Sequence, residues 1–391
     1  MDNIEYFGTP IEEYIKKNAA SLQPQFDSFS STLFAIYDYL RKFIFDNLLL
    51  IVILYIVFLY YTFKKIDNKF SFNYWLLLII PGILLANYVI KTVYRVSTPL
   101  GSVGRAKDCL EKSKDIIFNK TIRPIETRTD LLDKPLNEFI INTSHNSYVP
   151  CNQNVDISSL DAIQNTLNMG ARVIELDCYA KNSAGTSDDD MTPIIVHGIE
   201  SSKGDTHTTT TLLFEDCIDK IVEYGFLTSD PLIICLELNT NSLVATQKKM
   251  KEIIIKKLGN KLLDPIYKLN SVNRKYYTME PIKNLLNKVI FISGGGYTNE
   301  LTGIIDGVFG ESFLGNDESS DNISMNKPGK MTRIYPAGNL YGHLSQNFDP
   351  TPYWTNRYQM VAMNVQTIDA NMMKNVYMFK NNSFVHFSQL V

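Results

Sequence analysis

Between Asn137 and Asn239, four short apolar runs each end in polar, titratable groups. They are INTSHNSY (Ile141–Tyr148), VIELDCY (Val173–Tyr179), IIVHG (Ile194–Gly198) and IICLELN (Ile233–Asn239). The groups are His145 with Asn146, Glu175 with Asp177, His197, and Glu237. Glu175 and Asp177 are two residues apart, so on a strand both side chains leave the same face. Carboxylates buried on such a face are costly unless a cation or hydrogen-bond donors hold them. Two histidines and three carboxylates at successive strand ends point to a metal-assisted acid/base site.

The elements that must position these groups read as β-strands alternating with helices. Strands are expected over 138–142, 172–178, 193–196, 232–236, 288–292, 331–335 and 359–365. Helices are expected over 159–169, 212–224, 244–258 and 369–377, with Gly170 and Gly225 as stops. Such alternation predicts a parallel barrel, whose catalytic groups lie at the C-terminal strand ends. His145, Asp177, His197 and Glu237 fall at those ends. Two acidic stretches, Asp188–Asp190 and NDESSDN (Asn316–Asn322), lack the glycine spacing of a calcium-binding EF-hand loop and read as solvated turns. Gly294–Gly296 lacks the Lys-Ser/Thr of a phosphate-binding loop and reads as a βα turn.

The chain has 391 residues, 45% hydrophobic and 20% charged, enough for one large domain plus an extension. A net charge of −3 gives no reason to expect a nucleic-acid partner. Five scattered cysteines without a CxxC pair predict neither a zinc site nor a disulfide framework, and a reducing compartment.

Residues 1–42 read as a cytosolic N-terminal segment. Residues 43–95 contain two uncharged apolar stretches, about 47–63 and 70–90, separated by KKIDNK. They read as a transmembrane hairpin rather than a buried helical hairpin of a soluble domain. Arg41, Lys42, Lys91, Arg95, Arg105 and Lys107 outnumber the three lysines of the loop, so both flanks are expected in the cytosol. This makes a two-pass integral membrane protein with a cytosolic C-terminal part. Residues 96–134 read as a linker and 135–391 as the barrel.

At these residues the sequence resembles the eukaryotic phosphoinositide-specific phospholipase C family. SHNSY, ELDCY, VHG and LEL follow its X box (about 135–258). TRIYPAG (Thr332–Gly338), NFDPTPYW (Asn347–Trp354) and QMVAMNVQT (Gln359–Thr367) follow its Y box (about 281–391). The resemblance implies a distorted (β/α)₈ barrel that cleaves phosphoinositides in a membrane, with Ca²⁺, to diacylglycerol and inositol phosphate through a cyclic 1,2-phosphate. It implies Asn146, Glu175, Asp177 and Glu237 as calcium ligands. His145 would stabilise phosphoryl charge and His197 would act as general acid, with Glu175, or alternatively Glu237, as base. It implies Arg333 and Tyr335 as headgroup contacts, with Ser293 beside them. The chain departs from the family at Ser293-Gly294-Gly295, where Lys-Gly-Lys is usual. It also departs in having two apolar stretches where accessory domains usually precede the barrel. Two alternatives are a catalytically weak or inactive membrane-anchored lipid-binding protein and a calcium-independent phosphatidylinositol lyase.

Overall fold

The computed structural model describes residues 99–118, 122–152, 157–181, 190–197, 210–239, 244–311, 314–320, 330–337 and 345–390, together with Gly82. The two apolar stretches expected to span a membrane lie outside the described residues, apart from Gly82. Among the described residues no helix is long and apolar enough to cross a membrane.

Eight parallel strands form the frame. They are β1 (Phe139–Ser144), β2 (Val173–Ala180), β5 (Leu232–Leu238), β6 (Val289–Ser293), β7 (Gly307–Val308), β8 (Leu314–Ser319), β9 (Met331–Tyr335) and β10 (Met360–Met363). Their order is β7-β6-β5-β2-β1-β10-β9-β8, with every neighbouring pair parallel. The path is a nearly closed barrel with its seam between β7 and β8. Short antiparallel strands trim it: β3 (Pro193–Ile195) pairs with β2, β4 (Leu212–Leu213) with β3, and β11 (Phe384–His386) with β1.

Most of these strands, β8 excepted, form because their sequences are rich in apolar and β-branched residues, as a sheet covered on both faces requires. VIELDCYA and VIFIS are buried at every position. One face packs against helices α2 (Leu160–Asn168), α3 (Phe214–Tyr224) and α4 (Val244–Leu258) through Ile174, Leu176, Ile234, Leu236 and Phe291. Truncating one of these, Ile234→Ala for example, removes about 2–5 kcal/mol. Caps set the helix starts. Ser159 Oγ accepts from the Asp161 N–H at 3.2 Å, and an Asp369 carboxylate oxygen from the Met372 N–H at 2.7 Å at the start of the helix Ala370–Met378.

Three features differ from the sequence-based expectation. The stretch expected to be a linker contains a helix, α1 (Pro99–Phe118), docked on α2 where Asn165 Nδ2 donates to Ser113 Oγ at 2.8 Å. Cys109 of α1 is disulfide-bonded to Cys151 after β1, which corrects the expectation of no disulfide; Cys178, Cys217 and Cys235 are buried free thiols. The pair lies 42 residues apart, so no spacing motif announces it. Finally, part of NDESSDN is not a solvated turn. Asp317, Glu318 and Ser319 lie on β8, paired with Arg333, Ile334 and Tyr335 of β9.

Candidate active site

The polar residues ending β1, β2, β3 and β5 meet at one end of the barrel. On adjacent parallel strands Glu175 is in register with Cys235, and Asp177 with Glu237. Register neighbours point to the same side, so Glu175, Asp177 and Glu237 converge. One ligand oxygen from each lies within 4.8 Å of the others, about twice a calcium–oxygen bond. Asn146 joins them from the turn after β1, in a left-handed conformation (φ 43°) that asparagine tolerates. Its N–H donates to Glu175 Oε2 at 2.8 Å.

Crowded carboxylates perturb one another. Glu175 beside it, and then burial, push Glu237 up to about 7. Burial, with Glu237 adding to it, holds Asp177 above the usual carboxylate range. Asp177 Oδ1 is buried without a hydrogen-bond partner, which is unfavourable for a carboxylate oxygen unless something else binds it. An all-oxygen donor set with such an orphaned atom fits a hard divalent cation. It fits zinc poorly, because neither histidine completes a nitrogen- or sulfur-rich set.

His145 and His197 flank the cluster. His145 Nε2 lies 3.8 Å from Glu175 Oε2, and His197 Nδ1 lies 3.5 Å from Asp177 Oδ2. Asn364, at the end of β10, sets the His145 ring. Its Nδ2 donates to Gln346 O at 3.0 Å, which turns Oδ1 towards His145 Nδ1 at 2.9 Å. The Nδ1 proton is therefore donated to Asn364. Burial holds His145 below the ordinary histidine range, and the Asn364 hydrogen bond opposes this. Tyr335 stacks on the ring, with centroids 6.0 Å apart and planes 7° from parallel.

Arg333 and Ser293, the expected headgroup contacts, both make hydrogen bonds within the protein. Arg333 is fully buried and reaches across the barrel. Nη1 donates to Glu175 Oε1 at 2.5 Å, Nη2 to Glu237 Oε1 at 3.0 Å, and Nε and Nη2 to the two oxygens of Asp317 at 2.7 Å each. Burial opposes its charge, but Asp317, Glu175 and Glu237 outweigh burial and raise its pKa further. Ser293 is also fully buried, and its hydroxyl donates to Gly295 O at 2.9 Å. Gly295 (φ 134°) and Gly296 (φ 72°) shape this turn, and a Cβ at Gly296 would stand 2.6 Å from Leu238 O. Lysines at positions 293 and 295 would thus meet a buried site and a strained backbone.

Sequence reading missed Asn364 and Asp317. Asn364 lies within AMNVQT and could have been suspected as a polar residue ending an apolar strand. Asp317 carries no such signal, because its partner is a guanidinium 16 residues away.

Fold and site together define a class: a parallel barrel with a carboxylate cluster able to hold a metal ion and two histidines at its strand ends. Residues 132–293 match the family described as Phosphatidylinositol-specific phospholipase C, X domain, and residues 310–385 match its Y domain. The two matches span more than half of the chain, which belongs to the phosphatidylinositol-specific phospholipase C family. The 1-phosphatidylinositol 4,5-bisphosphate phosphodiesterase beta-2 of Mus musculus is 36% identical over 137 residues, 34% of this chain and 10% of that protein. The 1-phosphatidylinositol 4,5-bisphosphate phosphodiesterase 1 of Candida albicans is 24% identical over 355 residues, 66% of this chain and 31% of that one. Among solved structures, L. pealei PLC21 shares the fold with a TM-score of 0.52 at 22% identity, over 65% of this chain and 37% of that one. The chain thus spans about a tenth of the length of the first of these curated relatives and about a third of the second.

Proposed function

We propose that this protein is a calcium-dependent phosphodiesterase that cleaves membrane phosphoinositides to diacylglycerol and inositol phosphate. The observation that carries this reading is the convergence of Glu175, Asp177 and Glu237 between two histidines, with Asp177 Oδ1 buried and unpartnered. Asn146, Glu175, Asp177 and Glu237 would hold Ca²⁺. Bound there, it supplies positive charge that lowers the pKa of the inositol 2-hydroxyl and offsets phosphoryl charge.

The chain's own groups do the rest. The 2-hydroxyl oxygen attacks the 1-phosphate, and its proton passes to Glu175, with Glu237 the second candidate base. The bond to the diacylglycerol oxygen breaks, and His197 gives that oxygen a proton. His197 Nδ1 is turned to Asp177, so Nε2 is the nitrogen assigned to this transfer. Burial disfavours the charged form of His145, and a phosphoryl anion beside it would favour that form; so charged, His145 would donate from Nε2 to a phosphoryl oxygen, because its Nδ1 proton is already committed to Asn364. Water, deprotonated by His197, then attacks the phosphorus of the cyclic 1,2-phosphate; its bond to the 2-oxygen breaks, and the proton held on Glu175 returns to that oxygen.

The apolar stretches 47–63 and 70–90 support a two-span anchor, which would raise the concentration of the barrel at the lipid surface. The flanking basic residues favour a cytosolic barrel. The Cys109–Cys151 bridge favours the opposite side, since disulfides persist in oxidising compartments. A cysteine at Asn68, in a background lacking Cys178, Cys217 and Cys235, decides this by its reaction with an impermeant thiol reagent on sealed vesicles of known orientation. The activity itself is tested with the full-length protein on phosphoinositide micelles: hydrolysis is expected with Ca²⁺ and lost in chelator. Equal hydrolysis in both overturns the calcium assignment, and none on any phosphoinositide overturns the activity.

A further inference from the structure

An arginine has five N–H donors, and those of Arg333 match five contacts within the protein. Nε meets Asp317 Oδ1. Nη1 meets Glu175 Oε1 and, at 3.3 Å, Cys235 Sγ. Nη2 meets Glu237 Oε1 and Asp317 Oδ2. A guanidinium so enclosed has no edge left for a phosphate. Asp317 takes the edge that Glu175 and Glu237 leave, and takes it with both oxygens, the geometry in which a phosphate would otherwise be bound. The side chains of Asp317 and Glu237 are one-fifth and two-fifths exposed while Arg333 is buried, so carboxylates rather than the guanidinium meet solvent here.

We propose that Asp317 is a specificity-determining residue which, by capping Arg333, makes the site select inositol headgroups without ring phosphates over ring-phosphorylated ones. This rests on the phosphodiesterase reading above.

Charge balance supports it. Glu175, Glu237 and Asp317 pair with one guanidinium and Asp177 lies beside Glu175 and Glu237, so with all four ionised even a bound divalent cation leaves the carboxylates one charge in excess. A ring phosphate brought next to Asp317 meets a like charge instead of a cation. Among the described residues, two other cations near the seam are ion-paired as well. Lys268 donates to Asp306 at 2.7 Å, and Arg274 to Glu311 at 2.9 Å. Ser293, which ends β6, and Gly295 in the turn after it add no positive charge there.

The test uses the full-length protein in detergent and two readouts. Calorimetry in chelator compares inositol 1-phosphate with inositol 1,4,5-trisphosphate. Mixed micelles at fixed surface concentration, with Ca²⁺, compare phosphatidylinositol with its 4,5-bisphosphate. The native protein should bind the trisphosphate no more tightly than the monophosphate, and should prefer phosphatidylinositol. Asp317→Asn should shift both ratios towards the phosphorylated headgroup by about ten- to hundredfold, the weight of one charged hydrogen bond. Asp317→Glu, which keeps the charge, should keep the native ratios. A merely structural role would weaken both headgroups alike and leave the ratios unmoved, which would overturn the proposal. So would a native protein that already favours the trisphosphate tenfold, a measurement that needs no variant. Loss of hydrolysis on every lipid would count against the phosphodiesterase reading alone, because the calorimetric ratio does not depend on turnover.

Discussion

The first half of the barrel, β1 to β5, and the second half, β8 to β10, contribute to the site in opposite ways. The first half supplies groups that can exchange protons or bind a cation: His145, Glu175, Asp177, His197 and Glu237. Several are electrostatically unsettled, with Glu237 held at about 7 and Asp177 Oδ1 unpartnered. The second half supplies groups whose bonds are already made: Arg333, enclosed by carboxylates, and Asn364, fixed between Gln346 O and His145. The difference teaches a division of labour. Crowded carboxylates repel one another and would splay apart. Arg333 counters this by holding Glu175 and Glu237 together from across the barrel. In the proposed reaction the first half carries the proton- and cation-binding groups, and the second half holds their geometry.

The contrast breaks most sharply at His197. His197→Ala should slow turnover roughly 10²–10⁴-fold, the usual weight of general acid–base catalysis. A substrate with a low-pKa leaving group should lose far less, and equal losses on both substrates would remove His197 as general acid. A smaller effect is expected at the cation cluster. Asp177→Asn removes an anionic ligand and should raise the Ca²⁺ needed for half-maximal rate roughly 10–100-fold, read from a calcium titration.

A change in the second half should cost less, because it acts through another residue. Asn364→Ala frees the His145 ring from its partner and should lower kcat up to about tenfold, with KM nearly unchanged. A rise in KM alone would show that Asn364 shapes binding rather than the ring.

The smallest effect sharpens the electrostatic side of the comparison. The ordinary value for a glutamate is 4.5, and Glu237 stands at about 7 in the metal-free cluster. A raised folded-state pKa contributes stability that is complete below about pH 4.5 and lost as pH rises through about 7. In chelator the melting temperature should fall by a few degrees across that window. Calcium should cancel the fall near and above pH 7, where Glu237 is ionised and can bind it. Glu237→Gln should flatten the slope in chelator, and a slope that persists would assign it to another group.

Much of the first half was legible because local rules suffice there. A β-branched run ending in a polar residue is a strand whatever its neighbours, and period-two spacing alone aims Glu175 and Asp177 the same way. The helix Val244–Leu258 has the expected bounds, and Ser159 and Asp369 cap their helices through hydrogen bonds made within a few residues. The strand ends therefore announced the three carboxylates and the two histidines that the fold brings together.

The second half was legible only in part, because its decisive contacts are long-range. Arg333 reads as a headgroup contact by resemblance alone, and nothing local announces that the barrel brings Glu175 and Glu237 around it. LGNDES reads as part of a solvated loop by composition, since an acidic strand is stable only where a partner strand supplies the counter-charge. The Cys109–Cys151 bridge likewise depends on α1 lying against α2. Sequence by itself determined which residues can do chemistry and which strands carry them, because side-chain type and alternation are local. The tertiary structure alone decided which charges neutralise one another, because Coulomb pairing depends on distances that only the closed barrel creates.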